Sequence, residues 1–289
     1  MSRLAEALRQ AEQHDGDGTR TPHVVADAPL SRPRDREPPD APQPARSTPS
    51  ATEKSFDANP AVVGKLVVMP AVSPAAVEQY RRLAASLHHA QLEREAKVLM
   101  VTSASPGEGK TLTAINLALT LSESYRRRVL VVDADLRRPM IHQVMGIANG
   151  QGLNDVLKAP EDRRPAVIQV SDRLHVLTAG RADPDPMGGL TSDRMRRIVQ
   201  DAAAHFDWVV VDTPPVGFLS DANLLVAMVD VALFVVRAGK SPYRLIQRAL
   251  DAVGRNRILG VVLNAVDETV DVAGYSYYGY YGTPRRIQS

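Results

Sequence analysis

The 289 residues leave room for one large domain with appendages, and a hydrophobic content of 44% can supply a substantial core. The formal net charge of +2 is too small to indicate a nucleic-acid partner, and the absence of cysteine excludes disulfides and thiolate metal sites, which fits a cytoplasmic protein. The N-terminus lacks the apolar run of a secretory signal, and the longest apolar stretch, Leu224 to Val236, is too short to cross a bilayer. This composition predicts a soluble protein that would reach a membrane only through a partner.

The N-terminal residues 1–59 are predicted to form a disordered tether. From His14 onward they are dense in Pro, Asp, Arg, Ser and Thr and nearly free of large apolar residues, so they bury too little surface to offset the entropy of ordering. Ser73 and Pro74 then have the pattern of an N-cap followed by the first helical residue. The predicted helix continues to about Glu95.

The stretch from Lys97 to Leu112, KVLMVTSASPGEGKTL, has the pattern of a phosphate-binding loop. Val98 to Val101 form a short apolar run typical of a buried parallel strand, and a turn rich in Gly and Ser leads directly into an apolar helix. The N–H groups of such a loop converge where the helix dipole is positive, which creates an anion site. Lys110 would reach the β- and γ-phosphates of a nucleotide, and the Thr111 hydroxyl would hold Mg²⁺.

The match to the pattern G-x-x-x-x-G-K-[ST] is incomplete, because Ala104 stands where the first glycine is expected. Taken alone, the G-x-G-K-T segment that ends at Thr111 also fits a tight loop with a solvated lysine. The segments that follow in the chain favour the nucleotide site over this alternative.

Two further strands are predicted to end in carboxylates. A strand at Arg128 to Val132 has Asp133 and Asp135 at its carboxyl end, and the four apolar residues Trp208 to Val211 followed by Asp212 form a Walker-B-like strand. Ligands of open α/β sheets bind at the carboxyl ends of the strands, where a P-loop also lies. Solvated strand ends are the alternative, but beside a P-loop these carboxylates are predicted to face a metal or to act as bases.

The alternation of strands and helices predicts an α/β fold, a P-loop NTPase-like, mostly parallel sheet with helices on both faces. The remaining predicted strands and extended segments are Val62–Val72, Leu174–Thr178, Val231–Arg237 and Ile258–Leu263. The remaining predicted helices are Leu112–Ser124, Leu153–Leu157, Thr191–His205 and one opened by Ser241-Pro242, with a loop at Ala179–Gly189.

The C-terminal residues 267–289 are predicted to form a flexible, tyrosine-rich tail. Five of the chain's 8 tyrosines fall within the run GYSYYGYYG: Tyr275, Tyr277, Tyr278, Tyr280 and Tyr281. One interpretation is a low-complexity segment that packs on its own domain. The other, which we prefer beside this P-loop, is a series of phosphoacceptors with glycine spacing that lets each hydroxyl enter another active site.

These motifs together resemble the bacterial tyrosine kinases, the autokinases of capsule and exopolysaccharide export, which share a deviant P-loop with partitioning and cell-division ATPases. The resemblance covers roughly Pro74 to Gly282. Its markers are SASPGEGKT at Ser103–Thr111, VVDADLRRP at Val131–Pro139, VVVDTPP at Val209–Pro215 and the tyrosine cluster. It implies a protein-tyrosine kinase that uses ATP and Mg²⁺ and phosphorylates its own tail.

The motifs and the resemblance together assign a role to each site residue. The predicted nucleotide-binding residues are Gly107, Glu108, Gly109, Lys110, Thr111, Leu112 and Asn264. The predicted Mg²⁺ ligands are Thr111, Asp135 and Asp212, and the predicted catalytic residues are Lys110, Asp133, Asp135 and Asp212. Asp133 is the candidate for accepting the tyrosine proton, although its role and that of Asp135 could be exchanged, and Asn264 is the candidate for reading adenine.

The resemblance also implies a domain division and partners. Residues 60–266 would form the P-loop kinase domain, which would act on the tail of a neighbouring subunit in a homo-oligomeric ring. A separate membrane polysaccharide co-polymerase would activate the kinase and recruit it to the inner face of the plasma membrane, and a cognate tyrosine phosphatase would reverse its action. The family's Glu-x-x-Arg-x-x-Arg subunit contact is incomplete, because Glu78 and Arg81 match but Ala84 replaces the last arginine. A solvated charged helix face is the alternative for Glu78 and Arg81.

Two other functions are compatible with part of the pattern. A partitioning-type switch ATPase without tyrosine kinase activity usually carries a signature lysine where this chain has Ser105. A nucleotide-binding scaffold with little turnover would not need the intact Lys110 and the three aspartates.

Overall fold

The structure, a computed structural model, describes residues 64–160, 163–216 and 224–266. The predicted N-terminal tether and the tail with its five tyrosines lie outside these residues. Across the described ranges, no helix combines the length and the apolar character that a membrane span requires.

Seven strands in the described ranges form one sheet, in the spatial order β3-β4-β2-β5-β1-β6-β7. Their bounds are β1 Val98–Ser103, β2 Val129–Asp133, β3 Ile168–Gln169, β4 Leu174–Leu177, β5 Trp208–Asp212, β6 Val231–Arg237 and β7 Ile258–Asn264. Six of the strands run parallel, and only the two-residue β3 pairs antiparallel, with β4. The predicted mostly parallel sheet is confirmed.

Seven α-helices have complete bounds in the described ranges. They are α1 Pro74–Arg94, α2 Lys110–Glu123, α3 Ile141–Met145, α4 Leu153–Leu157, α5 Met187–Leu190, α6 Asp193–His205 and α7 Tyr243–Val253. A 3₁₀ turn at Arg255–Arg257 precedes β7. The helix predicted from Ser73 and Pro74 forms as expected, since the Ser73 hydroxyl accepts a hydrogen bond from the N–H of Ala76.

Helices cover both faces of the sheet, so the central strands are apolar on both sides. In β1, Val98 and Met100 belong to the core layer shared with α6 and α7. Leu99 and Val101 belong to the opposite layer, shared with α1 and α2. The predicted position of helices on both faces is confirmed.

Two local predictions were wrong. Residues 64–72 form turns, not an extended segment, because Leu66 is buried and the Asn116 amide bonds both the N–H of Val67 and the carbonyl of Lys65. The loop predicted at Ala179–Gly189 is interrupted at its end by the start of α5.

The ends of two strands position the site. Asp212 is the last residue of β5, as predicted, and Asp133 is the last residue of β2, one position beyond the predicted end of that strand. The ladder between these strands continues to its end, where Asp133 lies opposite Asp212. The strand β1, whose C-terminal end leads into the phosphate-binding segment, lies on the other side of β5.

Candidate functional site

The segment between β1 and α2 forms the loop that the sequence predicts. Gly107 and Gly109 have φ angles of 76° and 97°, in the left-handed region that favours glycine. Gly109 is the N-cap of α2 and offers no side-chain cap, so the first N–H groups of the helix remain available to a ligand. This arrangement can bind an anion through backbone N–H groups and the positive end of the helix dipole.

Glu108 fastens this loop to the neighbouring strand connection. Only 3% of the residue is exposed, and its Oε2 accepts the N–H of Ser105 at 3.1 Å. Its Oε1 accepts the hydroxyl of Ser241, which lies between β6 and α7. The guanidinium of Arg237, at the end of β6, donates to the carbonyl of Gly107 at 3.3 Å. The Glu108 carboxylate therefore stabilises the loop. The nucleotide contact predicted for this residue stays a prediction, and it would be made by the backbone N–H.

Asn264, at the end of β7, completes the support of the loop. Its Nδ2 donates to the carbonyl of Glu108 at 2.8 Å, and its Oδ1 accepts the N–H of Ala265 at 2.8 Å. A Cβ atom on Gly109 would lie 2.0 Å from this Nδ2. The contact with adenine stays a prediction, because the amide in this structure is engaged by the loop.

Replacing Gly109 with alanine is expected to weaken nucleotide binding, because the added methyl group would collide with Asn264 and the positive φ is strained for alanine. Since strain of this kind costs about 1–3 kcal/mol, the Kd for MgADP should rise at least about fivefold in calorimetric titration. Gly188→Ala is the matched control, since no atom lies within 4 Å of its added Cβ. Equal affinities of the two variants would contradict this account of the loop.

Lys110 and Thr111 open α2 beside the end of β5. Only 8% of Lys110 is exposed, and its charge acts on the buried carboxyl of Asp212. The Thr111 hydroxyl donates to Oδ2 of Asp212 at 2.6 Å. The other carboxylate oxygen of Asp212, Oδ1, is buried and has no hydrogen-bond partner among the described residues. The structure thus brings together three of the residues that the sequence assigns to catalysis and metal binding.

Asp133 is buried beside this group. Its Oδ2 accepts the N–H groups of Met140 and Ile141, both at 3.1 Å, where α3 begins. Its Oδ1 is buried without a hydrogen-bond partner in the described part of the chain. Burial, followed by the nearby charge of Asp212, raises the pKa of Asp133 well above the ordinary value. The two backbone bonds therefore fix the orientation of a carboxyl that is more basic than an exposed aspartate.

The pKa of Asp212 is also raised, to about 6, by burial. The Lys110 charge and the Thr111 hydrogen bond oppose this rise, and Asp135 adds to it. Asp135 is half-buried, and its Oδ1 accepts the N–H of Arg138 at 3.2 Å. Three carboxylates with such mutual effects are costly to hold together unless a cation or a ligand proton compensates them.

The residues at the end of β5 fit a magnesium ion that a nucleotide brings with it. Mg²⁺ in such sites takes one or two protein ligands and completes its shell with water and phosphate oxygens. The Thr111 hydroxyl and Oδ1 of Asp212, which has no hydrogen-bond partner among the described residues, would provide those ligands. Within the described residues, no group of three or more His, Cys, Asp or Glu side chains could hold a metal ion by itself, and ligation by Asp135 stays a prediction.

The raised pKa of Asp212 has a consequence for stability. The native state binds this proton more tightly than the unfolded chain does, so the contribution of Asp212 to the free energy of unfolding decreases as the pH rises from about 4 through about 6. In buffer free of nucleotide and magnesium, wild type should lose about 2 kcal/mol relative to Asp212→Asn between pH 4 and pH 7. Urea denaturation of both proteins across this range tests the expectation. A flat difference between wild type and Asp212→Asn across this range would contradict the burial argument.

A P-loop at the end of one strand, flanked by carboxylates at the ends of the next two strands of the sheet, defines the class of P-loop nucleotide-binding proteins. The family model described as the CobQ/CobB/MinD/ParA nucleotide binding domain matches residues 99–274 of this chain. This match covers more than half of the chain and includes every described site residue.

Two named relatives narrow the class. The tyrosine-protein kinase YwqD of Bacillus subtilis strain 168 is 36% identical over 210 residues, which cover 71% of this chain and 86% of the relative. The tyrosine-protein kinase etk of Escherichia coli strain K12 is 39% identical over 207 residues. That match covers 70% of this chain but only 28% of the Escherichia coli protein, so the chain corresponds to one part of this longer relative.

A solved structure agrees with these relatives. The kinase domain of the Escherichia coli tyrosine kinase ETK superposes with a TM-score of 0.63 and 35% identity, over 70% of this chain and 80% of that chain. The chain belongs to the CobQ/CobB/MinD/ParA family of nucleotide-binding domains and, within it, to the bacterial tyrosine kinases.

Sequence reasoning missed the contacts that Ser241 and Arg237 make with the loop. These residues lie 133 and 130 positions from their partners in the loop, and the Ser241-Pro242 pattern signals only the start of a helix. The signal for the contacts is position, since Arg237 ends, and Ser241 follows, the strand that the structure places directly beside β1.

Proposed function

We propose that the protein is an ATP-dependent protein-tyrosine kinase that uses Mg²⁺ and phosphorylates the tyrosines of its own C-terminal tail, in a neighbouring copy. The observation that carries the proposal is the carboxyl of Asp133. It is fully buried, oriented by two backbone N–H groups, and placed opposite Asp212 at the end of the strand ladder. A simple nucleotide site needs one carboxylate for the metal, and this site has a second with raised basicity.

The proposed reaction assigns separate work to each residue. The N–H groups of the loop and the Lys110 ammonium hold the phosphates and stabilise charge on the β- and γ-oxygens. Bound Mg²⁺ supplies further neutralisation of the phosphate oxygens. Oδ1 of Asp133 takes the proton of the tyrosine hydroxyl. At the same time the tyrosine oxygen forms a bond to the γ-phosphorus, and the bond from this phosphorus to ADP breaks, so that ADP leaves. Thr111 and Asp212 keep their geometry through the bond between them.

Family membership supports a wider role in exopolysaccharide chain length and export. We propose that a separate membrane co-polymerase activates the kinase and recruits it from the cytoplasm to the inner face of the plasma membrane, and that a phosphatase reverses the modification. On α1, Glu78 pairs with Arg81 at 3.9 Å and with Arg82 at 3.8 Å on an exposed face. Exposed pairs of this kind add little stability within one subunit, so the face is free to contact a second copy in the proposed ring.

The partitioning-type ATPase is not favoured, because the relatives at 36% and 39% identity are tyrosine kinases. An intact nucleotide site is equally compatible with a partitioning-type ATPase and with a kinase. Production of phosphotyrosine therefore distinguishes the two functions.

Mixing two variants, neither of which can phosphorylate its own tail, tests transfer between copies. The first carries Lys110→Met and keeps its tail; the second keeps its active site and has phenylalanine at all five tail tyrosines. With MgATP, neither variant alone should contain tail phosphotyrosine, whereas the mixture should acquire it on the Lys110→Met chain, as mapped by mass spectrometry. ATP hydrolysis without phosphotyrosine in the mixture and in wild type would overturn the kinase. Phosphotyrosine in wild type but not in the mixture would restrict transfer to a single chain.

A further inference from the structure

An open cavity of about 890 Å³ lies next to Asp133 and has no part in the reaction described above. We call it the arginine pocket, and its lining includes Arg138, Met140, His142, Asn149 and Arg181. Met140 connects it directly to the reaction site, because the N–H of this residue donates to Oδ2 of Asp133 while its side chain lines the cavity. A peptide segment of a few residues could therefore place one side chain in the pocket and a second one, the acceptor tyrosine, at Asp133.

The pocket is cationic. In the part of the chain that the structure describes, the Arg138 and Arg181 guanidinium groups contact neither a carboxylate nor a carbonyl. The carboxylate of Asp155, which also lines the cavity, is used by the backbone, since its Oδ2 accepts the N–H groups of Gly152 at 3.0 Å and Arg181 at 3.3 Å. Burial lowers the pKa of His142, so this ring is neutral at physiological pH. The two guanidinium groups therefore dominate the field in the cavity.

The wall of the pocket is built in advance of any ligand. The Asn149 side chain bonds both the N–H and the carbonyl of Gly180, at 2.9 Å and 2.8 Å. Gly180 has a φ of 75°, and a Cβ on Gly152 would lie 2.1 Å from the N of Gly180, so the two loops touch through their backbones. A cavity with this support does not need to reorganise when an anion binds, which reduces the cost of binding.

We propose that the arginine pocket binds a phosphotyrosine of a second copy's tail, while another tyrosine of the same tail lies at Asp133. This inference rests on the proposed function, because that reaction produces the ligand. A phosphotyrosine carries a charge of about −1.5 to −2, and two guanidinium groups can hold its phosphate through paired hydrogen bonds. The exposed Met140 side chain offers the aromatic ring a thioether contact.

The spacing of the tail tyrosines suits two adjacent subsites. Tyr278 and Tyr281 are three residues apart, which spans about 10 Å in an extended chain, with Gly279 and Tyr280 between them. Once one tyrosine is phosphorylated, the others stay within reach of the reaction site. The pocket would thus make later phosphorylations faster than the first, so that a tail once modified becomes modified at several positions.

Peptide binding tests the pocket without any transfer reaction. The protein is the full chain with phenylalanine at the five tail tyrosines, in saturating MgADP, and the probes are fluorescent peptides of residues 272–284 with and without phosphate on Tyr281. Charge-assisted hydrogen bonds of about 1.5–3 kcal/mol predict that phosphate tightens binding by about tenfold or more. Arg138→Gln/Arg181→Gln should remove this gain. The control Arg94→Gln/Arg248→Gln, which changes the net charge equally at exposed positions of α1 and α7, should keep it.

Three results would overturn the proposal. They are equal binding of the two peptides, a gain that survives in Arg138→Gln/Arg181→Gln, and a gain that appears only without MgADP, which would place the phosphate in the P-loop. The variant Arg138→Lys/Arg181→Lys controls for a folding defect in the glutamine variant. Because it keeps both positive charges, it should restore part of the gain in affinity. Primed peptide should also have a lower KM than unprimed peptide at similar kcat in the kinase assay. If the mixing experiment yields no phosphotyrosine but the phosphorylated peptide still binds more tightly, the proposed function is contradicted and the pocket is not.

Discussion

Replacing Lys110 with methionine is expected to reduce tail phosphorylation by about 10²- to 10³-fold or more, the loss typical for one charged group that stabilises a transition state. The side chain opens α2 in a buried position next to Asp212. Methionine has a similar shape but no charge, so the packing persists while the negative oxygens of the transferring phosphoryl group lose their cation. Initial rates of phosphotyrosine formation in saturating MgATP measure the effect.

The matched control for this variant is Lys65→Met, which removes a charge from an exposed position outside the site. It should phosphorylate at the wild-type rate. The Lys110→Met substitution should also raise the pKa of Asp212 further, because it removes a charge that lowers this pKa. A Lys110→Met protein that retains more than a tenth of the wild-type rate would contradict the assignment of this lysine.

Changing Asp133 to asparagine is expected to lower kcat by about 10²- to 10⁴-fold, the usual contribution of a general base, with little change in MgADP affinity. The amide oxygen can still accept the N–H groups of Met140 and Ile141, but the remaining nitrogen cannot accept a proton. Removal of the buried charge also relieves its repulsion with Asp212, so the variant should fold at least as stably as wild type. Rates, calorimetric MgADP titration and thermal unfolding measure these three quantities.

The pH dependence separates a base from a structural carboxyl at position 133. In wild type, kcat/KM should rise with pH through the raised pKa of the coupled Asp133 and Asp212 pair, because the base must be deprotonated. In Asp133→Asn the remaining activity should lose part of this rise, while the exposed Asp201→Asn should keep the wild-type profile. A fully active Asp133→Asn would instead favour Asp135 as the base, the exchange of roles that the sequence leaves open.

Local patterns in the sequence were sufficient for the fold class and for most of the candidate site. Buried strands followed by helices specify a parallel sheet, and a parallel sheet places the carboxyl ends of its strands along one edge. That geometry made Lys110, Thr111, Asp133 and Asp212 recognisable as one group before any coordinates were known. The turns at 64–72 could not be foreseen, because the Asn116 side chain that stabilises them lies on a helix about 50 residues later.

The sequence by itself determined which groups carry charge and which loop can hold phosphates, since both depend on short stretches of chain. The tertiary structure alone decided how those groups behave. It placed β6 and β7 beyond β1, so that Arg237, Ser241 and Asn264 support the phosphate loop. It also buried Asp133 opposite Asp212, and it left two arginines facing a cavity beside them. Burial and charge proximity depend on distances between residues far apart in the chain, and those distances exist only after the sheet has formed.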